Sequence, residues 1–526
     1  MNPFTTDCSN LIHRGFSRIG KHMRLAFFST VILGLLVHLF MFTNKLPNHD
    51  DIVCLFYNDA TVTSGRWFLA ALIAISSNFS LPSVNGILSL LYLGGTAALV
   101  CELFSIKRPL PVILSSFALV TFPSITNAFG FMFTADGYCL GFFLAALAAF
   151  LTDRRRLGFI PGAILLMLSL ATYQATLCLF VAILAVRGLL ILIHGELTDK
   201  QVWIRLISYA GTAVVGILFY LLSSKIALAV TGLQMESYVG LDEMGKISLT
   251  QIPGMIFTAY YGFFEFAFLT SGIHLGLWLS VVHLLLGLTI LFLLVILYRK
   301  LMPQTRFQRI LYIAVSLLLP LLFNTAPFFG TSHIHAIMMI GMVMIYYLAI
   351  VLYETAAEKI GPVKGIALAG WACTILVFLS SFGWGIYANQ CYLKLHLKYE
   401  NSYALCNRIV NRIESSGLYS ADRELAFVGE PSKGNYPQAK DGHLGSLGSD
   451  EGFGGPSEYS FIYDDRHFKD YIASYIGVVY PLVEGETLDT LYEDARVAAM
   501  PCYPAAGSLA VIDEILVVKV GPVDGE

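Results

Sequence analysis

Long apolar runs broken by short basic clusters leave this chain few folds to adopt. Runs such as 25–43, 84–104, 176–194, 206–231 and 272–297 match the roughly 20 residues that a helix needs to cross a bilayer. Inside hydrocarbon every backbone N–H and C=O must be satisfied within the span, which makes such runs helical. A strand-built barrel would show short alternating segments, and none are evident. Composition agrees: the 526 residues are 56% hydrophobic and 13% charged, where soluble domains carry about a quarter charged residues. A formal net charge of −3 argues against a nucleic-acid partner.

Lysine and arginine collect on the cytoplasmic flanks of spans. Here they recur as Arg14, Arg18, Lys21 and Arg24; Lys107 and Arg108; Arg154, Arg155 and Arg156; Lys200 with Arg205; Arg299, Lys300, Arg306 and Arg309; and Lys359 with Lys364. If all face the cytoplasm, two spans separate neighbouring clusters. That condition is met by about eleven spans: 25–43, 84–104, 112–128, 137–152, 157–173, 176–194, 206–231, 272–297, 310–327, 335–353 and 365–387. Residues 1–24 form a cytoplasmic tail. The first span is retained, since no small-residue cleavage site follows it. Residues 67–77 are too short to span, and 251–269 carry Glu265 in an aromatic run. Both segments read as interfacial or re-entrant helices.

After residue 387 the chain turns polar, and an odd span count places 388–526 outside. This tail reads as a helix (about 392–416), a strand (ELAFVGEP), a Gly-rich loop (440–457), a helix (about 464–474) and a final strand (EILVVKVG). The Gly-rich stretch lacks the lysine and the strand–loop–helix context of a phosphate loop, so it reads as a flexible connection. The expected fold is a polytopic α-helical membrane bundle over 25–387 with a small extracytoplasmic α/β domain over 388–526. Cys391 and Cys406 fall about 22 Å apart on one helix, beyond disulfide reach. Cys502 pairing with Cys406, or three free thiols, both fit the sequence.

The conspicuous polar residues gather on one face. The external loop 44–66 holds His49, Asp50, Asp51 and Arg66, followed at once by Trp67. Asp136 opens the fourth span. Tyr173 and Gln174 occupy the turn after the fifth. Lys225 lies in the outer half of the seventh, Glu236 beyond it, and His333 and His335 precede the tenth. Charged groups inside spans usually face a cavity or a partner. Each residue also has a plainer reading. Asp50 or Asp51 suits capping after Pro47–Asn48, and Asp136 suits capping of its own span. Arg66 and Lys225 suit headgroup anchoring, Tyr173 and Gln174 interhelical hydrogen bonding, and the histidines turn packing. No tight His or carboxylate spacing supports a metal site, so neither a metal nor another cofactor is expected.

An acidic pair in the first external loop, then Gly65–Arg66–Trp67, then Asp136, then a span ending in Tyr173–Gln174, resembles the O-antigen glucosyltransferases of the Gtr serotype-converting group. The closing MPCYPAAGSLAVIDEILVVKV is similar to the tail of that group. These proteins are similar to the wider GT-C class, which uses polyprenyl-phosphate sugars. Many GT-C relatives carry a late external arginine for the lipid phosphate. TAPFFGTSHIHA offers only histidines, which passes that role to Arg66 and Lys225.

The resemblance implies inverting transfer of a hexose, glucose foremost, from a polyprenyl-phosphate donor to a hydroxyl of O-antigen or lipopolysaccharide. The reaction would take place at the outer face of a bacterial inner membrane, with the C-terminal domain periplasmic. Asp50 or Asp51 would be the base, and Asp136 would hold sugar hydroxyls or orient that base. Arg66 and Lys225 would bind the donor phosphate. Tyr173, Gln174, Trp67, His49, Glu236 and His335 would contact sugar or acceptor. The implied partners are the lipid donor, the polysaccharide acceptor and the bilayer, with a flippase and a donor synthase in the same small operon. The competing reading is a lipid-linked sugar flippase or transporter, which should show internal repeats and mid-membrane polar groups. No repeat is apparent.

Overall fold

Apolar runs of hydrocarbon length become helices packed side by side. The structure, a computed structural model, describes residues 17, 19–54, 60–76, 79–155, 157–235, 248–269, 276–301, 305–329, 334–361, 363–434, 447, 453 and 460–523. The long helices are α1 (Lys21–Thr43), then, after the short α2 (His49–Val53) and α3 (Trp67–Ile75), α4 (Pro82–Leu103). Next come α5 (Pro109–Thr121), α6 (Pro123–Gly130), α7 (Ala135–Arg154), α8 (Phe159–Leu170), α9 (Thr176–His194) and α10 (Asp199–Thr231). After the 13-residue α11 (Ile252–Phe264), the bundle closes with α12 (Leu277–Leu301), α13 (Arg306–Phe323), α14 (Met344–Lys359) and α15 (Lys364–Ser415).

Among the described residues nine helices are long and apolar enough to cross a membrane, and ten if the α5–α6 pair counts as one span. The expected eleven therefore reduce in two places. Residues 112–128 are broken by a 41° bend between α5 and α6, because Pro123 has no N–H to continue the helical ladder. Residues 157–173 contain only the 12-residue α8, about 18 Å long against a core of about 30 Å. The segments read as interfacial are short: α3 has nine residues, and α11 passes into a single π-helical turn at Glu265–Leu269.

With α5–α6 and the short α8 counted as crossings, successive helices alternate in direction and the basic clusters gather at one end. At one end His22 Nε2 lies 2.6 Å from Glu102, Arg108 lies 3.3 Å from Glu354, and the Gln308 amide donates to Asp199. At the other end Ser83 donates to the Phe42 carbonyl and the Asn85 amide donates to Asp136.

The helix α15 continues for 52 residues, about 78 Å, and passes residue 388 without a break. It runs alongside α1: the Asn389 amide donates to the Val37 carbonyl, and the Phe40 and His396 rings lie 5.8 Å apart. His38 fixes the register, with Nδ1 2.6 Å from the Tyr392 hydroxyl and Nε2 2.9 Å from the Val120 carbonyl of α5. The stretch of α15 around Lys398 therefore stands level with the end of α1, where loop 44–66 begins.

Beyond α15 come strand β1 (Leu425–Val428), helices α16 (Asp465–Tyr471) and α17 (Glu486–Glu493), and strands β2 (Leu509–Ile512) and β3 (Ile515–Lys519). The sheet order is β1-β3-β2, with β1 parallel to β3 and β2 antiparallel to it. The central β3 is buried along its length, as its near-unbroken apolar sequence requires. Cys391, Cys406 and Cys502 are buried and form no disulfide among the described residues. Most of the Gly-rich stretch 440–457 lies outside the described residues.

One buried imidazole links three helices, so His38→Leu should cost about 1–3 kcal/mol through the two hydrogen bonds it removes. The expected readout is a lower thermal midpoint of the detergent-solubilised protein; an unchanged midpoint would remove His38 as a tie between α1, α5 and α15.

Candidate active site

The loop that enters the site is shaped by its own capping chemistry. Asn48 caps α2, its side-chain oxygen accepting from the Asp51 N–H at 2.8 Å. One turn of helix then turns the two neighbouring carboxylates apart. Asp51 is 1% exposed, accepts from the Ser80 hydroxyl at 3.2 Å and lies 3.8 Å from Lys45 Nζ. Burial pushes its carboxyl above the ordinary range, opposed by Lys45 and Ser80. The Asp50 side chain is 44% exposed, with His49 Nε2 3.5 Å away.

The Gly65–Arg66–Trp67 stretch is held by the turn containing Tyr173 and Gln174. The Ala171 carbonyl accepts from the N–H groups of Phe68 and Leu69 at 3.1 and 3.2 Å. The Gln174 side-chain amide donates to the Ser64 carbonyl at 2.8 Å and to the Tyr220 hydroxyl at 2.9 Å. Trp67 Nε1 donates to Ser223 of α10 at 3.2 Å. Gly65 sits at φ +77°, and a Cβ there would fall 2.6 Å from the Tyr220 hydroxyl. Only glycine meets both demands.

Arg66 is thereby set among tyrosines. Its Nη1 donates to the Tyr138 hydroxyl at 3.3 Å, and its guanidinium carbon lies 5.1 Å from the Tyr173 ring centre. That is a cation–π distance, worth about 0.5–2 kcal/mol depending on solvation. Its Nε is buried and unbonded, and no carboxylate pairs with it among the described residues. Asp50 lies close enough to act on the Arg66 charge without bonding to it. Among the described residues, the arrangement leaves a planar cation without an anionic partner.

The other expected residues are placed differently. Asp136 lies in the first turn of α7, 5% exposed, and accepts from Asn85 at 3.0 Å. That bond ties α7 to α4, and the helix N-terminus favours the negative charge. Lys225 is exposed on α10, and no bond joins it to Arg66 among the described residues. His335 is exposed just before the 3₁₀ turn Ala336–Val343. Glu236 and His333 lie outside the described residues.

Three groups escaped the sequence reading. Tyr138 and Tyr220 complete the arginine's surroundings. Lys394 and Lys398 of α15 are fully buried, with Lys398 Nζ 5.2 Å from the Phe461 ring. Two lysines four residues apart in the apolar CYLKLHLKYE were the available signal. His467 of α16 is 3% exposed, with Nδ1 2.5 Å from Asp464.

A family model described as glucosyl transferase GtrII matches residues 39–353, more than half of the chain. The chain belongs to the GtrII glucosyl transferase family. No curated protein and no solved structure matches it. The GtrII match contains Asp50, Asp51, Arg66, Asp136, Tyr173 and Gln174, and ends before α15 and the tail.

Two measurements probe this geometry. Gly65→Ala should destabilise by at least about 1–2 kcal/mol from the left-handed conformation alone, and adding Tyr220→Phe should recover part of the lost thermal midpoint by removing the clashing hydroxyl. Burial holds the His49 imidazole below its usual 6.5, with Asp50 opposing and His467 and Lys398 reinforcing. The unfolded chain takes up this proton below about pH 6.5 and the folded chain does not, so stability falls as pH drops below that value. His49→Gln should therefore show a shallower loss of thermal midpoint than wild type between about pH 7 and pH 5.5.

Proposed function

We propose that this GtrII-family chain is an inverting glycosyltransferase. It moves glucose from a polyprenyl phosphate to a hydroxyl of a cell-surface polysaccharide, the O-antigen of lipopolysaccharide, at the outer face of the bacterial inner membrane. The observation that carries this reading is Arg66, a guanidinium held among tyrosines with no carboxylate partner among the described residues and with Asp50 nearby.

In the reaction the bond from the anomeric carbon to the phosphate oxygen breaks as the acceptor oxygen attacks from the opposite side. The leaving lipid phosphate gains negative charge. Arg66 stabilises that charge because its fork matches phosphate oxygens and because the donor is pre-set where the charge develops. The attacking hydroxyl loses its proton to a carboxylate. Asp50 suits this role: it is accessible and its neighbour is an imidazole. Asp51 is already engaged by Ser80, Lys45 and the capping turn, and positions the loop. Asp136 supports the site from α7, and Tyr173 and Gln174 hold Arg66 and its loop in place. These groups complete the reaction without a metal.

The lipid tail needs an apolar path. A cavity of about 230 Å³ between α11, α12, α13 and α14 is lined by Phe263, Phe264, Phe266 and Phe268. It includes the aromatic segment expected at the membrane interface, and an isoprenoid chain fits its chemistry.

Transfer of labelled glucose from polyprenyl phosphate to polysaccharide, in nanodiscs holding the purified chain, tests the assignment. Asp50→Asn should lower turnover about 10²–10⁴-fold, while Asp51→Asn should act mainly on stability. Arg66→Ala should weaken donor use about 10–100-fold, as expected for a lost charge-assisted bond. Wild-type turnover in Asp50→Asn would remove Asp50 as the base. Label that crosses the bilayer without covalent transfer would favour the flippase reading.

A further inference from the structure

The tail brings a second carboxylate-held imidazole against the loop that carries Asp50. Asp464 caps α16 by accepting from the His467 N–H at 2.9 Å, and the same oxygen holds His467 Nδ1. This leaves Nε2 as the nitrogen that Asp464 does not hold. It is buried and has no hydrogen-bond partner among the described residues. On the facing loop His49 Nε2 lies 3.5 Å from Asp50, and its Nδ1 is buried without a hydrogen-bond partner among the described residues. The Tyr463 ring stands between them, 3.9 Å from the His467 ring and 6.3 Å from the His49 ring.

We propose that His49 and His467 form the binding site for the acceptor saccharide, each imidazole taking a hydrogen bond from a sugar hydroxyl. The inference rests on the transfer reaction proposed above and adds to it the group that recognises the second substrate. In a neutral imidazole, the nitrogen that faces a carboxylate carries the proton and the other accepts. Two such acceptors on facing elements call for a ligand that donates, which a polyol does and a phosphodiester does not. Burial, with the Lys398 charge, lowers the proton affinity of His49 against the pull of Asp50, which matches an accepting role. An unmet nitrogen in a buried site is a standing cost that a ligand hydroxyl removes.

The location fits an acceptor. His49 adjoins Asp50, so a hydroxyl delivered to the base leaves neighbouring hydroxyls of the same sugar near the two imidazoles. The same helix α16 also lines, with Ile52 and Val53 of the loop, a cleft of about 440 Å³. Asp465, Arg466, Lys469 and Asp470 give that cleft polar walls, and it has room for further residues of an extended polymer. Arg66 lies among α7, α10 and the turn before α9, so donor and acceptor would approach Asp50 from different sides.

The test uses the full chain in nanodiscs, with a defined unmodified O-polysaccharide oligosaccharide of two repeat units as the probe. Its binding is measured directly, alongside the acceptor KM for transfer and the hydrolysis of polyprenyl-phosphate glucose without acceptor. His467→Ala and Asp464→Asn should each raise the oligosaccharide Kd and the acceptor KM about tenfold, the equivalent of one lost hydrogen bond. Donor hydrolysis should not change. His467→Gln should restore part of the binding, and His396→Ala, an imidazole on α15 away from this site, should have no effect. Unchanged Kd and KM in a normally melting His467→Ala overturn the inference, as does wild-type protein that does not bind the oligosaccharide. Binding that depends on His467 in a protein unable to use the lipid donor would uphold the inference and overturn the donor assignment alone.

Discussion

The Arg66 guanidinium is a buried charge that no carboxylate pairs with among the described residues. Removing a cation from water is expensive unless it is paired, and a surface arginine in search of stability would find a carboxylate. This one is given a hydroxyl from Tyr138 and the face of Tyr173, which hold the cation and leave its fork open. Much of the surrounding structure exists to keep that geometry. The left-handed Gly65 turns the backbone into it, the Ala171 carbonyl anchors the following turn, and Gln174 clamps Ser64 and Tyr220. The Gly–Arg–Trp and Tyr–Gln stretches, a hundred residues apart in sequence, are two halves of one hydrogen-bonded corner.

The two adjacent aspartates show how local geometry divides chemistry between similar groups. A one-turn helix capped by Asn48 sends Asp51 inward to Ser80 and Lys45 and leaves Asp50 at the surface beside His49. Burial raises the Asp51 carboxyl above its ordinary range, against Lys45 and Ser80. A carboxylate that must take a proton and return to its charged form needs access to solvent, which Asp50 retains. Sequence alone left the pair equivalent, because nothing in the letters tells which side chain a single turn will bury.

The same contrast runs through the fold. Span positions and the gathering of polar residues at one end were legible, because hydrocarbon imposes a length and the basic clusters impose a direction. The bend at Pro123 and the shortness of α8 were not, since hydropathy averages over a break and counts apolar turns as span. Asp50, Asp51 and Arg66 stood out in a short polar loop between apolar runs. The tyrosines around Arg66 did not, for Tyr138 and Tyr220 sit within spans where an aromatic residue draws no notice. Lys394, Lys398 and His467 were hidden by the boundary drawn at residue 388. A polar tail reads as a separate domain, and its charges read as solvated.

That boundary is where physics most changes the reading. A helix of 52 residues crosses it unbroken, and a helix transmits position without slack. His38 pins α15 to α1 through Tyr392, so each residue beyond Tyr392 has a fixed height above the loop that α1 leads into. Lys398 arrives close enough to act on His49, and the outer part of α15 supports the segment that presents Phe461, Tyr463 and His467. The segment 460–467 is therefore held in register against loop 44–54 by the last membrane helix. The family match ends at residue 353, so α15 and this segment lie outside it.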